Sequence, residues 1–357
     1  MPTLFQHKKN VFGLDISTHS IKVFQLQKNK NVFKVLAYTD YPLKQGIIVN
    51  DAVMDEKLLA ENIKAAVAKM GYGKVNTQWV IASIPESKAF VRVIQVPKII
   101  EAQAEAEVNI ESEQYIPIPL DQAYLDWQIL GPAAEEKMDV LVAAAPKDYI
   151  DVFVRVIKAA GLRPVAIEVG SAAVARALVP AASKTQDLLI VDTGAYRTSL
   201  IVVSKGFLQF TSSVPIAGDA FNQSIARALG INKQEAEKAK VQFGLSADSP
   251  NPAIRTALLP VVDNLVEEIK NILKFHQAHS STPITQIYLS GGGVRFPDFQ
   301  KYLQNKLAGF EVQVILGNPW INVLDAATIA AAKLSGGDYL GYSAAIGLAL
   351  RGAEFEV

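Results

Sequence analysis

The sequence predicts an α/β protein of duplicated architecture, and two observations carry that prediction. Two segments about half a chain apart share one plan: an apolar strand, a short polar turn and a second strand. Between and after them, runs with helical periodicity alternate with short apolar runs, the pattern of a mixed sheet-and-helix protein. The first segment, Asn10 to Gln27, reads as a strand over Val11–Ile16, a turn over Ser17–Ser20 and a strand over Ile21–Leu26. The second, Asp187 to Phe210, repeats this as Leu188–Asp192, Thr193–Thr198 and Ser199–Val203. In each, the turn begins just past an aspartate, Asp15 or Asp192, near the end of the first strand.

The remaining elements follow in order. Leu58, Leu59, Ile63, Ala66, Val67 and Met70 form an apolar stripe that predicts a helix over Asp55–Met70, ended by Gly71. Trp79–Pro85 and Phe90–Val96 read as strands, and Glu101–Gln114 as a Glu-rich helix stopped by Ile116-Pro-Ile-Pro119. Strands over Tyr124–Leu130 and Val140–Ala144 precede a helix over Lys147–Ala160 capped by Gly161. A strand over Pro164–Val169 leads into an Ala-rich helix over Ser171–Leu178, and Pro180 to Gln186 reads as a linker between halves. The second half adds helices over Ala220–Leu229, Lys233–Phe243 and Ala253–Ala278, with a loop over Ser246–Pro252. The strand Gln286–Ser290 runs into Gly291-Gly-Gly293, and an Ala-rich helix and Ala344–Leu350 close the chain.

The 357 residues suffice for two to three domains at roughly 150 residues each. Thirty-five Lys and Arg balance 35 Asp and Glu, which removes the whole-molecule electrostatic reason to expect a nucleic-acid partner. The absence of cysteine excludes disulfides, thiolate metal sites and a cysteine nucleophile. No apolar run approaches about 18 residues and the N-terminus lacks a signal-peptide pattern, so a cytoplasmic protein is expected. His276 and His279 are spaced i, i+3 at a helix end with no third ligand, which argues against a metal there.

Three small-residue turns follow strands: Asp15 to Lys22, Asp192 to Thr198, and Ser290 to Gly293. Such turns gather backbone N–H groups into nests that hold phosphate oxygens without side-chain charge. A strand-end aspartate can hold hydrated Mg²⁺, which takes one or two carboxylates together with phosphate and water. Each turn alone is also an ordinary turn, and there is no Walker motif. The ordered combination is what points to a nucleotide.

That order resembles the actin-like ATPase superfamily, which includes sugar kinases, heat-shock chaperone ATPases and FtsA. The closer resemblance is to the PilM family of type IV pilus assembly proteins. It lies in Glu111-Ser-Glu-Gln-Tyr-Ile-Pro-Ile-Pro-Leu120 followed by Tyr124-Leu-Asp-Trp-Gln-Ile-Leu-Gly131. Ala143–Lys147, Ala160–Pro164, Leu289–Gly293, Gly317–Trp320 and Gly347–Arg351 continue it in order, from about Phe12 to Gly352.

The resemblance implies an actin-like, ribonuclease H-like two-lobed fold binding ATP and Mg²⁺ in a cleft. Asp15 and Asp192 would face the metal, directly or through water. Ser17, Thr18, Lys22, Thr193, Gly194 and Thr198 would line the two phosphate loops, with Gly218 in the covering loop. Gly291, Gly292 and Gly293 would lie under the adenosine. Glu237 and Lys240 resemble the pair that contacts ribose and base, although the same i, i+3 spacing also suits a surface ion pair. Ser17 stands where the superfamily usually has glycine. Glu168 is the carboxylate available to orient an attacking water, and its facing is open, so slow hydrolysis is expected.

The implied division places the first lobe in residues 1–87 and 148–186, with an FtsA-type inserted subdomain at 88–147. Residues 187–357 form the second lobe, with a helical subdomain at about 216–285 and a C-terminal helix packed back on the first lobe. The implied partner is the N-terminal cytoplasmic peptide of a PilN-like inner-membrane protein, bound beside the insert. Other inner-membrane pilus components and pilus motor ATPases are implied too, for a role in twitching motility, with membrane contact only through partners. By itself, the Glu-rich helix there reads first as a solvated face. An FtsA-like filament former, a secretion or competence relative, a metabolite kinase and a homodimer stay open.

Overall fold

In the computed structural model, the described residues are 10–30, 32–98, 101–133, 136–180, 186–323 and 338–355. The linker expected over Pro180 to Gln186 and the Ala-rich helix before Ala344 fall largely outside them. The chain divides into two compact units. Unit 1 takes the described residues up to Ala177, those from Pro319 to Val323 and those from Tyr342 onward; unit 2 takes Leu178–Asn318 and the described residues up to Gly341.

Unit 1 begins with β1 (Phe12–Ile16), β2 (Ser20–Asn29), β3 (Val32–Pro42) and a small hairpin, β4 (Ile48–Val49) with β5 (Ala52–Val53). Helix α1 (Glu56–Ala68) follows, capped by the Asp55 carboxylate, which accepts from the Leu58 N–H. Then come β6 (Tyr72–Gly73), β7 (Trp79–Ile84), β8 (Phe90–Pro97), α2 (Glu101–Ser112), β9 (Ala123–Pro132) and β10 (Lys137–Pro146). α3 (Lys147–Ala159), β11 (Arg163–Val169) and α4 (Gly170–Leu178) complete the run, with α4 ending at the unit boundary.

The main sheet of unit 1 is ordered β11-β7-β1-β2-β3-β6. β1, β2 and β3 form an antiparallel meander, while β7 and β11 add in parallel beyond β1. The C-terminal helix Ser343–Glu354 belongs to this unit, and Leu348 packs with Val11, Ile81 and Ala173. Its approach is so close that a Cβ on Gly347 would lie 1.8 Å from the Ala173 carbonyl oxygen. A second group, β8, β10 and β9, is antiparallel, with β9 at the edge. Its own core joins Ile94, Val96, Val140 and Val142 to Val108 of α2.

Unit 2 repeats the plan. β12 (Asp187–Thr193), β13 (Thr198–Ser204) and β14 (Phe207–Val214) form an antiparallel meander. β15 (Ile284–Ser290) and then β16 (Gln313–Leu316) add in parallel beyond β12. Between β14 and β15 lie α5 (Gly218–Leu229), α6 (Lys233–Phe243) and α7 (Pro252–His279), and α8 (Phe299–Lys306) precedes β16. Asn232 opens α6 with a reciprocal capping box to Glu235. One apolar core joins β12, β13 and β15 to α5, α7 and α8.

The matching strand order bears out the duplication. Among the described elements, β3, β4, β5, β6, β14, β16 and α8 go beyond the sequence reading. β3 carried its signal in plain alternation, with Phe33, Val35, Ala37 and Thr39 buried and Val32 and Lys34 exposed. β16 is only four residues long, too short for periodicity to mark.

Candidate functional site

The structure builds the small-residue turns separately in each unit. In unit 1, β1 and β2 are joined by a turn that Ser17 closes by itself. The Ser17 N–H and hydroxyl both donate to the Ser20 carbonyl at 2.9 Å, and the Ser20 N–H donates back to Ser17 Oγ at 3.1 Å. Serine in the glycine position therefore spends its donors on closing the turn. Thr18 sits half-buried at the tip.

Asp15 and Lys22 face each other across the β1–β2 pair. The Ser83 hydroxyl of β7 donates to Asp15 Oδ1 at 2.7 Å. The Lys22 amine donates to Ser20 Oγ at 2.7 Å and stands 3.6 Å from Asp40. Glu168, at the end of β11, is committed elsewhere. Arg176 of α4 holds it bidentately at 2.6 and 3.0 Å, and Arg351 of the C-terminal helix adds a third contact. A carboxylate with both oxygens on guanidinium groups ties elements together and is poorly placed to orient water.

In unit 2 the loops are brought into direct contact. Gly194 N–H donates to the Arg197 carbonyl at 2.9 Å, closing the β12–β13 turn. The first N–H groups of α5, from Gly218 and Asp219, donate to the carbonyls of Gly194 and Ala195 at 3.1 and 2.7 Å. A Cβ on Gly291 would fall 2.2 Å from the Thr193 carbonyl oxygen, and one on Gly293 would fall 2.7 Å from that of Gly194. These two glycines are thus required by the turn beneath them, whereas nothing lies within 4 Å of a Cβ on Gly292. The Thr198 hydroxyl donates to the Ile216 carbonyl at 2.5 Å, so it braces the loop. Thr193 Oγ1 is buried with no hydrogen-bond partner.

Glu237 and Lys240 form an ion pair at 2.8 Å, with the lysine side chain 3% and the glutamate 50% exposed. Asn222 of α5 donates its amide to Glu237 and links the pair to the helix whose first turn rests on Gly194. A lysine this buried is not an ordinary surface ion pair.

Sequence reasoning missed Ser83, Asn222, Arg176 and Arg351. Ser83 had a signal, since it is the one polar residue in Val80–Ile84; the arginines had none, because their partner is brought by the fold. It also missed the partner of His276. The imidazole Nε2 meets Asp187 Oδ2 at 2.9 Å, at the far end of β12 from Asp192. Burial alone raises the Asp187 pKa, but the hydrogen bonds from His276 and Ser204 outweigh it and hold the carboxyl below its usual value. The Asp187 hydrogen bond raises that of His276.

The residues present fit a nucleotide with Mg²⁺ in kind: strand-end carboxylates, small-residue turns, an open Gly292 backbone and an orphaned buried hydroxyl. Among the described residues, no cluster of three or more His, Cys, Asp or Glu could hold a metal by side chains alone.

The family model for type IV pilus assembly protein PilM matches residues 13–353. The chain belongs to the PilM family. A solved PilM-PilN type IV pilus biogenesis complex contains a chain 26% identical, with a TM-score of 0.81; the match covers 98% of this chain and 100% of that one. The actin-like ATPase fold is shared more widely. Spiroplasma citri MreB5 bound to AMPPNP is 14% identical with a TM-score of 0.53, over 91% of this chain and 97% of that one. Bacillus subtilis cell division protein FtsA is 22% identical over an alignment 255 positions long, which covers 65% of this chain and 57% of that protein. The chain thus aligns with little more than half the length of this curated relative. Among the described residues, no helix is long and apolar enough to cross a membrane.

Proposed function

We propose that this PilM-family chain is a nucleotide-binding scaffold of type IV pilus assembly. In this reading it binds the N-terminal cytoplasmic peptide of a PilN-like inner-membrane protein, and through it links the membrane-bound alignment complex to the pilus motor. The observation that carries the reading is the match, over 98% of the chain, to the chain in the PilM-PilN complex. Residues 88–147 are read as the inserted subdomain. Its edge strand β9 pairs on one side with β10 and offers main-chain groups to which an extended peptide can add.

The nucleotide is read as ATP with Mg²⁺. Asp15 and Asp192 are the metal-facing carboxylates, the unit 2 turn and Gly218 cradle phosphate, and Gly292 with the Glu237–Lys240 pair holds the nucleoside. When bound, the metal supplies charge neutralisation for the phosphates. With Glu168 held by two arginines, hydrolysis is slow.

The test is capture of a PilN-like N-terminal peptide by the full chain, with and without ATP. Saturable capture supports the scaffold. No capture, together with transfer of phosphate to a small metabolite, overturns it.

A further inference from the structure

Asp15 and Asp192 each stand near the end of the first strand of a unit, and each has a serine beside it on the neighbouring parallel strand. In unit 1, Gly13 faces Ile81 and Leu14 faces Ala82, so the next step along brings Asp15 beside Ser83. There the Ser83 hydroxyl donates to Asp15 Oδ1 at 2.7 Å. In unit 2, Asp192 stands opposite Ser290 in the register of β12 with β15. Ser83 is 2% and Ser290 0% exposed.

A buried hydroxyl in an apolar strand is costly unless it is hydrogen-bonded, and alanine would occupy the same space without that cost. The bond Ser83 makes is therefore what distinguishes it from alanine. The terminal torsion of an aspartate is broad, so a half-buried carboxylate at a strand end samples many orientations. A donor fixed in the adjacent strand selects one of them and takes one oxygen, leaving Oδ2 to face a ligand. Magnesium demands near-ideal octahedral geometry, whether the carboxylate binds it directly or through water, and orienting partners of this kind tune such sites.

We infer that Ser83 is a positioning residue that orients the Asp15 carboxylate toward Mg²⁺-nucleotide; Ser290 holds the equivalent register position beside Asp192 in unit 2. This rests on the proposal that the chain binds a nucleotide with Mg²⁺. It adds a requirement for the Ser83 hydroxyl that nucleotide binding alone does not impose.

The experiment titrates Mg²⁺ against a fluorescent ATP analogue for the full-length wild type, Ser83→Ala, Ser83→Thr, Asp15→Ala and the Asp15→Ala/Ser83→Ala double variant. Thermal midpoints without nucleotide are recorded in parallel. Ser83→Ala is expected to raise the Mg²⁺ midpoint about tenfold over wild type while leaving the nucleotide affinity in EDTA unchanged. Ser83→Thr restores the midpoint, and the double variant matches Asp15→Ala. A Mg²⁺ midpoint unchanged in Ser83→Ala overturns the inference, as does a Ser83→Ala shift that persists in the Asp15→Ala background. A wild type that binds no nucleotide overturns the nucleotide reading instead. The orientation claim then stands or falls on crystal structures of wild type and Ser83→Ala: a changed Asp15 rotamer supports it and an unchanged one overturns it.

Discussion

Replacing His276 by leucine isolates the buried pair at the start of β12. Asp187 is 1% and His276 8% exposed, and their contact is 2.9 Å. Removing one partner of a buried ion pair costs about 3–5 kcal/mol, because the other charge is left without compensation. Here Ser280 and Ser204 still donate to the carboxylate, which places the loss at the lower end, about 3 kcal/mol. Asp187→Asn keeps the shape and removes the charge, at a cost of about 1–2 kcal/mol. Urea unfolding followed by far-UV circular dichroism is the assay, since Trp79, Trp127 and Trp320 all belong to unit 1 and would not report on unit 2.

The pH dependence of the gap between wild type and His276→Leu has a definite sign. The His276 pKa is raised, so its contribution is full below the unfolded value of about 6.5 and is lost as pH rises through the folded value. The Asp187 pKa is lowered, so its contribution is full above the unfolded value of about 3.9 and is lost as pH falls through the folded value. The gap is therefore largest between about pH 4 and 6.5 and narrows above that range. A gap that widens above pH 7, or that stays under about 1 kcal/mol at pH 6, would refute the buried-pair account.

Other outcomes follow from the same geometry. Gly293→Ala drives a Cβ into the Gly194 carbonyl and is expected to weaken nucleotide binding at least tenfold, whereas Gly292→Ala meets nothing and keeps the loop; titration with a fluorescent nucleotide separates them. Glu168→Gln is expected to cost about 2 kcal/mol in urea unfolding, less than a fully buried pair because both arginines are about a third exposed. It should leave the rate of phosphate release unchanged, and a fall in that rate of tenfold or more would restore Glu168 as a catalytic candidate. Asn232→Ala removes the α6 capping box and lowers stability by about 1 kcal/mol, read as a shift in the urea midpoint.

Legibility followed locality. Both strand-turn-strand segments, α1, α3, α6 and the long α7 were readable, because apolar spacing, caps and glycine stops are written within a few residues of each other. The placement of Asp15 and Asp192 at strand ends followed in the same way. The roles of Ser17 and Thr198 did not, because what their hydroxyls bind depends on how each turn closes and on what packs behind it. Glu237 and Lys240 were visible as a pair, but burial of the lysine came from the neighbouring α5.

The sequence by itself determined the duplicated plan, the type and order of most elements, the family and the small-residue turns that follow the strands. These depend on period, turn chemistry and ordered motifs. Only the tertiary structure decided what each polar side chain does. Ser83 reaches Asp15 across 68 residues of chain, and Arg351 reaches Glu168 across 183. Parallel pairing of β7 with β1 creates the first of these neighbours and packing of the C-terminal helix within unit 1 the second, and a crossover connection leaves no local trace of which residues it will bring together.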